Sequence, residues 1–173
     1  VCSGRYAYVS QRGYYPESPE KANQDAFCCL EKLGNDPNSH FFGVFDGHGE
    51  FGTQCAQFAR DKIQELLACH KNLKDDLEAA HHDSFVAANK LLHAEPIDDS
   101  MSGSTAITVA VRGRQILVSN VGESRAVLAE RDGDRLVAVD LSHDQTPYRK
   151  DECSRVKGCG ARVLTLDQLE GLK

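Results

Sequence analysis

With 173 residues, 40% of them apolar and 27% charged, the chain has the composition of an ordinary globular protein. It has room for one hydrophobic core, the buried fraction approaching about 70% near this size. A formal net charge of -6 and the lack of a long Lys/Arg run argue against nucleic acid as a partner, because a phosphate backbone rewards clustered cations. No stretch reaches the roughly 18 apolar residues of a membrane span, so no membrane partner is expected.

In chain order, residues 5–11 alternate as an edge strand does, and 26–30 and 41–45 read as further strands. A polar loop at 31–40, with Gly34, Asn35, Asp36 and Pro37, separates the last two. From Glu50 the apolar period becomes helical, with Phe51, Cys55, Phe58, Ile63, Leu66 and Leu67 covering one face through about five turns. A second amphipathic helix is predicted from about Leu73 to His93, apolar at Leu77, Ala80, Phe85, Ala88 and Leu92 and closed by Pro96. His81 and His82 fall on its polar side in this reading. They lack the i, i+4 partners of a zinc site and are expected at the surface.

Strands then follow at 106–111, 115–119, 126–130 and 136–139, with Arg112-Gly113 and Asp132-Gly133 as hairpin turns, and a short helix near 148–157. Strands, a helix pair, then an antiparallel meander describe an α+β protein with paired helices on a sheet face. No internal repeat or linker divides residues 1–173, which read as a single domain. The seven cysteines contain no C-x-x-C pair. Their odd number predicts reduced thiols, most of them in the core, and a cytoplasmic or nuclear setting.

The segment richest in chemistry is Phe41-Phe42-Gly43-Val44-Phe45-Asp46-Gly47-His48-Gly49-Glu50, an apolar strand that ends in an acid at the mouth of a helix. A carboxylate at a strand terminus sits on a rigid element, and glycines beside it let the backbone approach an ion. Alone, the segment reads better as a turn with Asp46 or Glu50 favouring a helix N-terminus. Asn23-Gln24-Asp25 likewise places an acid at the entrance of a strand, and alone is an ordinary turn. Ser102-Gly103-Ser104-Thr105-Ala106 opens another strand, and Asn120-Val121-Gly122-Glu123-Ser124-Arg125-Ala126 joins two.

Taken in chain order (23–25, 41–50, 102–106, 120–126), with two helices between the second and third, the four segments resemble the 2C-type protein phosphatases, over nearly the whole chain. The resemblance implies an antiparallel β-sandwich flanked by paired α-helices. It implies hydrolysis of phosphoserine and phosphothreonine in phosphorylated proteins, with two Mg²⁺ or Mn²⁺ ions. It further implies that Asp46 bridges the ions, that the Gly47 carbonyl ligates one, that Asp25 acts through a water, and that His48 is the general acid for the departing alkoxide. A histidine suits that task near neutral pH. Hard cations with oxygen ligands activate water and neutralise phosphoryl charge, so no covalent intermediate is needed. No cysteine has the Gly-rich, Arg-ended setting of a thiolate phosphatase.

Three departures from the family pattern stand out. Gln24, a neutral ligand, occupies a place where many members have Glu, and Glu123 stands where Asp is usual, one methylene longer. After Glu123 there is no Asp-Gly-x-x-Asp segment and no later Asp-Asn. Asp167 is flanked differently and reads as a helix start or a turn rather than a ligand. These residues are therefore expected to be the amino-terminal portion of a longer phosphatase domain, inactive alone, with further domains possible in the parent chain. For the phosphate, Arg12 is preferred over Lys21 because a guanidinium grips phosphate bidentately, yet both remain open across the insertion-like stretch 13–20. Gln24, Glu123 and the missing segments also suit a second reading, a phosphatase-like interaction or regulatory module without turnover.

Overall fold

The computed structural model describes residues 4–165, 167, 168 and 171. Its centre is an antiparallel sheet of four strands in the order β1 (Ala26–Leu30), β2 (Ser39–Phe45), β5 (Ala106–Arg112), β6 (Gln115–Val121). Two ribbons accompany it: β3 (Gly47–His48) with β4 (Gly103–Ser104), and β7 (Val127–Asp132) with β8 (Arg135–Asp140). Three helices complete the chain, α1 (Gly52–Ala68), α2 (Leu77–Leu92) and α3 (Lys150–Gly158). The α+β reading with antiparallel strands and a helix pair holds. Among the described residues no helix is long and apolar enough to cross a membrane.

The β2 register pairs Phe41 with Leu30 and Ala110, and Phe45 with Ala26. This alternation sends Phe41 and Phe45, both fully buried, into one face of the sheet. There they meet Ala56, Ile63 and Leu67 of α1 and Ala80 and Ala88 of α2. Burying each phenyl ring contributes about 1.5–3 kcal/mol relative to exposure. The core therefore lies directly behind the strand that ends at Asp46, so the acid emerges from a rigid element.

Five sequence expectations are corrected. Residues 5–11 form no strand: the alternating tyrosines instead pack on the opposite sheet face, Tyr8 against Phe27 with centroids 4.3 Å apart and Tyr6 against Phe42 at 5.5 Å. Strands β7 and β8 pair only with each other, so the meander breaks after β6. His81 is buried, between Phe41 and Phe85, with Nδ1 2.9 Å from Ser119 Oγ, while His82 is exposed. The buried face of α2 is Ala80, His81, Ser84 and Ala88, a narrower stripe shifted from the one the large apolar residues suggested. Of the six described cysteines, all free, only Cys28 and Cys55 are buried. Burial pushes the Cys28 thiol up to about 12, which makes it an inert core group.

Candidate metal centre

The end of β2 is held by β5's approach. Asp46 N–H donates to Thr105 Oγ1 at 3.1 Å, and Thr105 N–H donates to the Asp46 carbonyl at 2.9 Å. Thr105 Oγ1 also lies 2.6 Å from Ser124 Oγ, which ties the segments around residues 105 and 124 to the one that carries Asp46. Immediately after Asp46 the backbone is crowded. A Cβ on Gly47 would stand 2.2 Å from the Gly52 carbonyl oxygen and 2.7 Å from the Gln24 carbonyl oxygen. Only glycine fits, and the Asp46–Gly47 turn is thereby pressed against the start of α1.

Asp25 arrives from the other side. Its N–H donates to Asn23 Oδ1 at 3.1 Å, an Asx turn that fixes the entry to β1. Its carboxyl comes within hydrogen-bonding reach of Asp46, and its pKa is raised, first by burial and then by the Asp46 charge and hydrogen bond. Asp25, Asp46 and Gly47 line one cleft, together with Tyr15, Lys21 and Gln24. Two carboxylates held this close repel each other unless a proton or a cation lies between them. With the Gly47 backbone beside them they offer an all-oxygen donor set, which suits a hard divalent ion. Among the described residues no three His, Cys, Asp or Glu side chains gather around one point.

Gln24 uses its amide nitrogen to donate to the Gly49 carbonyl at 2.7 Å, so it braces the Gly47–Gly49 turn from within. The exposed His48 imidazole lies against Gly103, where a Cβ would be 2.9 Å from Cε1 and 3.2 Å from Nε2. Ser102 Oγ accepts from Phe51 N–H at 3.0 Å and secures the first turn of α1.

Glu123 is exposed and lies outside the cleft lining. Its turn is nonetheless clamped. Gln145 receives from Gly122 N–H at 3.2 Å and donates to the Asn120 carbonyl at 3.1 Å, while Arg125 grips Asp144 with two bonds of 2.6 and 2.8 Å. Arg12 is turned away, its guanidinium donating to the Pro19 carbonyl, and it is Lys21 that reaches the cleft. Asp167 lies in a helical start beside the reciprocal Thr165–Gln168 bonds, 2.9 and 3.3 Å long. The roles of Thr105, Ser102 and Tyr15 were not visible in the sequence. Thr105 sat inside a recognised segment, but nothing local ties residue 105 to residue 46.

A sequence model of the family described as "Protein phosphatase 2C" matches residues 18–172. The chain belongs to the protein phosphatase 2C family. Among its relatives, an Arabidopsis thaliana protein named "Probable protein phosphatase 2C 35" is 58% identical over 168 residues, covering 97% of this chain and 48% of that protein. The rice (Oryza sativa subsp. japonica) "Probable protein phosphatase 2C 64" is 35% identical over 88% of this chain and 38% of its own length. The chain thus spans about half the length of the curated relatives it matches, or less. Among solved structures, serine-threonine phosphatase 2C from Toxoplasma gondii superposes with a TM-score of 0.71 at 21% identity, over 82% of this chain and 51% of that one. A Mycobacterium tuberculosis serine/threonine phosphatase gives 0.62 at 22%, over 89% and 59%. At those identities the likeness establishes that this protein phosphatase 2C chain has the family's fold.

Proposed function

We propose that the protein to which this chain belongs hydrolyses phosphoserine and phosphothreonine in phosphorylated proteins, with two Mg²⁺ or Mn²⁺ ions held in the cleft between Asp25 and Asp46. Residues 1–173 are then the amino-terminal portion of its phosphatase domain, and further carboxylates come from the rest of the protein. The observation that carries the reading is that the strand-end acids Asp25 and Asp46 line one cleft together with Gly47. When bound, such ions lower the pKa of water and neutralise charge on the phosphoryl oxygens.

The chain's own residues divide the remaining work. Asp46, at the end of β2, is the carboxylate suited to bridge, and the Gly47 carbonyl supplies a neutral oxygen beside it. Asp25, which lines the same cleft, would hold a water of a bound ion through its carboxylate. His48, on the solvent side of the same turn, is suited to deliver a proton to the leaving serine or threonine oxygen, which as an alkoxide is a poor leaving group. Lys21 adds positive charge where the phosphoryl group enters, a role for which Arg12, engaged by Pro19, is less well placed.

The test is hydrolysis of p-nitrophenyl phosphate by the full-length protein with Mn²⁺, beside an Asp46→Asn variant. Activity is expected to fall by at least about a hundredfold, as for the loss of a ligand that orders the reacting centre. Equal rates would sink the metal mechanism.

A further inference from the structure

One wall of the Asp25/Asp46 cleft is built by the stretch 13–20. Two successive turns shape it: Ser18 N–H donates to the Tyr15 carbonyl at 3.1 Å, and Lys21 N–H donates to the Ser18 carbonyl at 3.0 Å. The Arg12 guanidinium fastens the outer end by donating to the Pro19 carbonyl. The result folds Tyr15 back over Lys21, with the ammonium nitrogen 4.2 Å from the ring centroid. Both side chains line the cleft with the two carboxylates. Gly13 leaves room for the ring, since a Cβ there would stand 3.1 Å from Tyr15 Cε2.

A lysine ammonium is a point charge on a flexible four-carbon stem, so by itself it is a poorly directed phosphate ligand. A neighbouring carboxylate could direct it, but would also neutralise it. An aromatic face attracts the cation through its quadrupole and leaves the full charge and the N–H donors available to an incoming anion.

We propose that Tyr15 is a positioning residue for phosphate recognition, its ring holding the Lys21 ammonium at the cleft with N–H donors free for phosphoryl oxygens. The stretch 13–20 is then a working wall of the site. This inference rests on the phosphatase reading of the cleft.

The experiment is calorimetric titration of the full-length protein with inorganic phosphate in the presence of Mn²⁺. Tyr15→Ala is expected to weaken binding about two- to fivefold, the effect of one partly exposed cation–π contact. Tyr15→Phe keeps the ring face and is expected to bind as the wild type does. Lys21→Met weakens binding further, and adding Tyr15→Ala to Lys21→Met has no additional effect, because the ring acts only through the ammonium. Unchanged affinity in Tyr15→Ala overturns the proposal, as does a weakening that persists in the Lys21→Met background or a wild-type protein that binds no phosphate. Turnover of p-nitrophenyl phosphate by Asp46→Asn is a separate readout. Its persistence defeats the phosphatase reading, whereas its loss together with an unchanged Tyr15→Ala affinity defeats this inference alone.

Discussion

Thr105 and Asp46 exchange two hydrogen bonds across 59 residues of sequence, so the backbone on either side of the central carboxylate is fixed by a single threonine. The same hydroxyl meets Ser124 Oγ at 2.6 Å. On the proposed reading Thr105 orients a metal ligand without touching the metal, and such groups commonly matter about 10–100-fold in affinity or activity. Thr105→Val in the full-length protein is accordingly expected to raise the Mn²⁺ concentration for half-maximal activity by about tenfold. Its stability should fall by only about 1 kcal/mol, the worth of one hydrogen bond. Thr105→Ser should behave as the wild type. A Mn²⁺ dependence in Thr105→Val identical to that of the wild type would remove the threonine from the site.

Gly47→Ala introduces a methyl group into backbone rather than into a yielding side chain, with the Gly52 carbonyl oxygen only 2.2 Å away. Overpacking of this kind typically costs about 1–3 kcal/mol, and here the strain falls on the turn carrying Asp46. Gly133→Ala is the control: its positive φ of 59° carries a penalty but no atom lies in the way. Urea midpoints should fall in both, further in Gly47→Ala, and phosphatase activity should be lost only in Gly47→Ala. Full activity in Gly47→Ala would show that the close approach relaxes freely.

Asp25 carries a carboxyl whose pKa is raised by burial and by Asp46. The sign follows: a raised acid lowers folded stability above the unfolded pKa, and the penalty disappears as pH falls through the folded value. Asp25→Asn should therefore stabilise the metal-free protein at neutral pH, modestly because the carboxyl is only partly withdrawn from water, on the order of a few tenths of a kcal/mol. The same variant should bind Mn²⁺ more weakly. Melting curves with EDTA and with excess Mn²⁺ test both halves. A variant that melts lower in EDTA would mean that the two acids do not strain the empty fold.

His81 is held neutral, burial driving its pKa from 6.5 down to about 4, with Arg112 adding to the shift. Stability from the neutral imidazole is complete above pH 6.5 and is lost as pH falls toward 4, because the unfolded chain takes up the proton first. The full shift corresponds to roughly 3 kcal/mol. The urea midpoint should drop between pH 6.5 and 4, and this component should vanish in His81→Leu. A His81→Leu profile parallel to that of the wild type over this window would place the acid sensitivity elsewhere.

Local pattern made much of the architecture legible. The strand predicted at 26–30 is β1 residue for residue, and the apolar period from Glu50 becomes α1. Both follow from side-chain spacing within a few residues, which sets which face is buried wherever the chain lies. The segments around Asp25, Asp46, Thr105 and Glu123 were also visible, as acids, glycines and small polar residues at strand ends. Tertiary structure alone decided how they are used. The alternation of Tyr6 and Tyr8 served ring packing rather than a strand. His81, polar by type, was drawn into the core where Ser119 could meet it. Lys21 reached the cleft while Arg12 bound Pro19. Burial patterns are written in near neighbours, whereas the convergence of polar groups depends on contacts made only after distant strands and loops have packed.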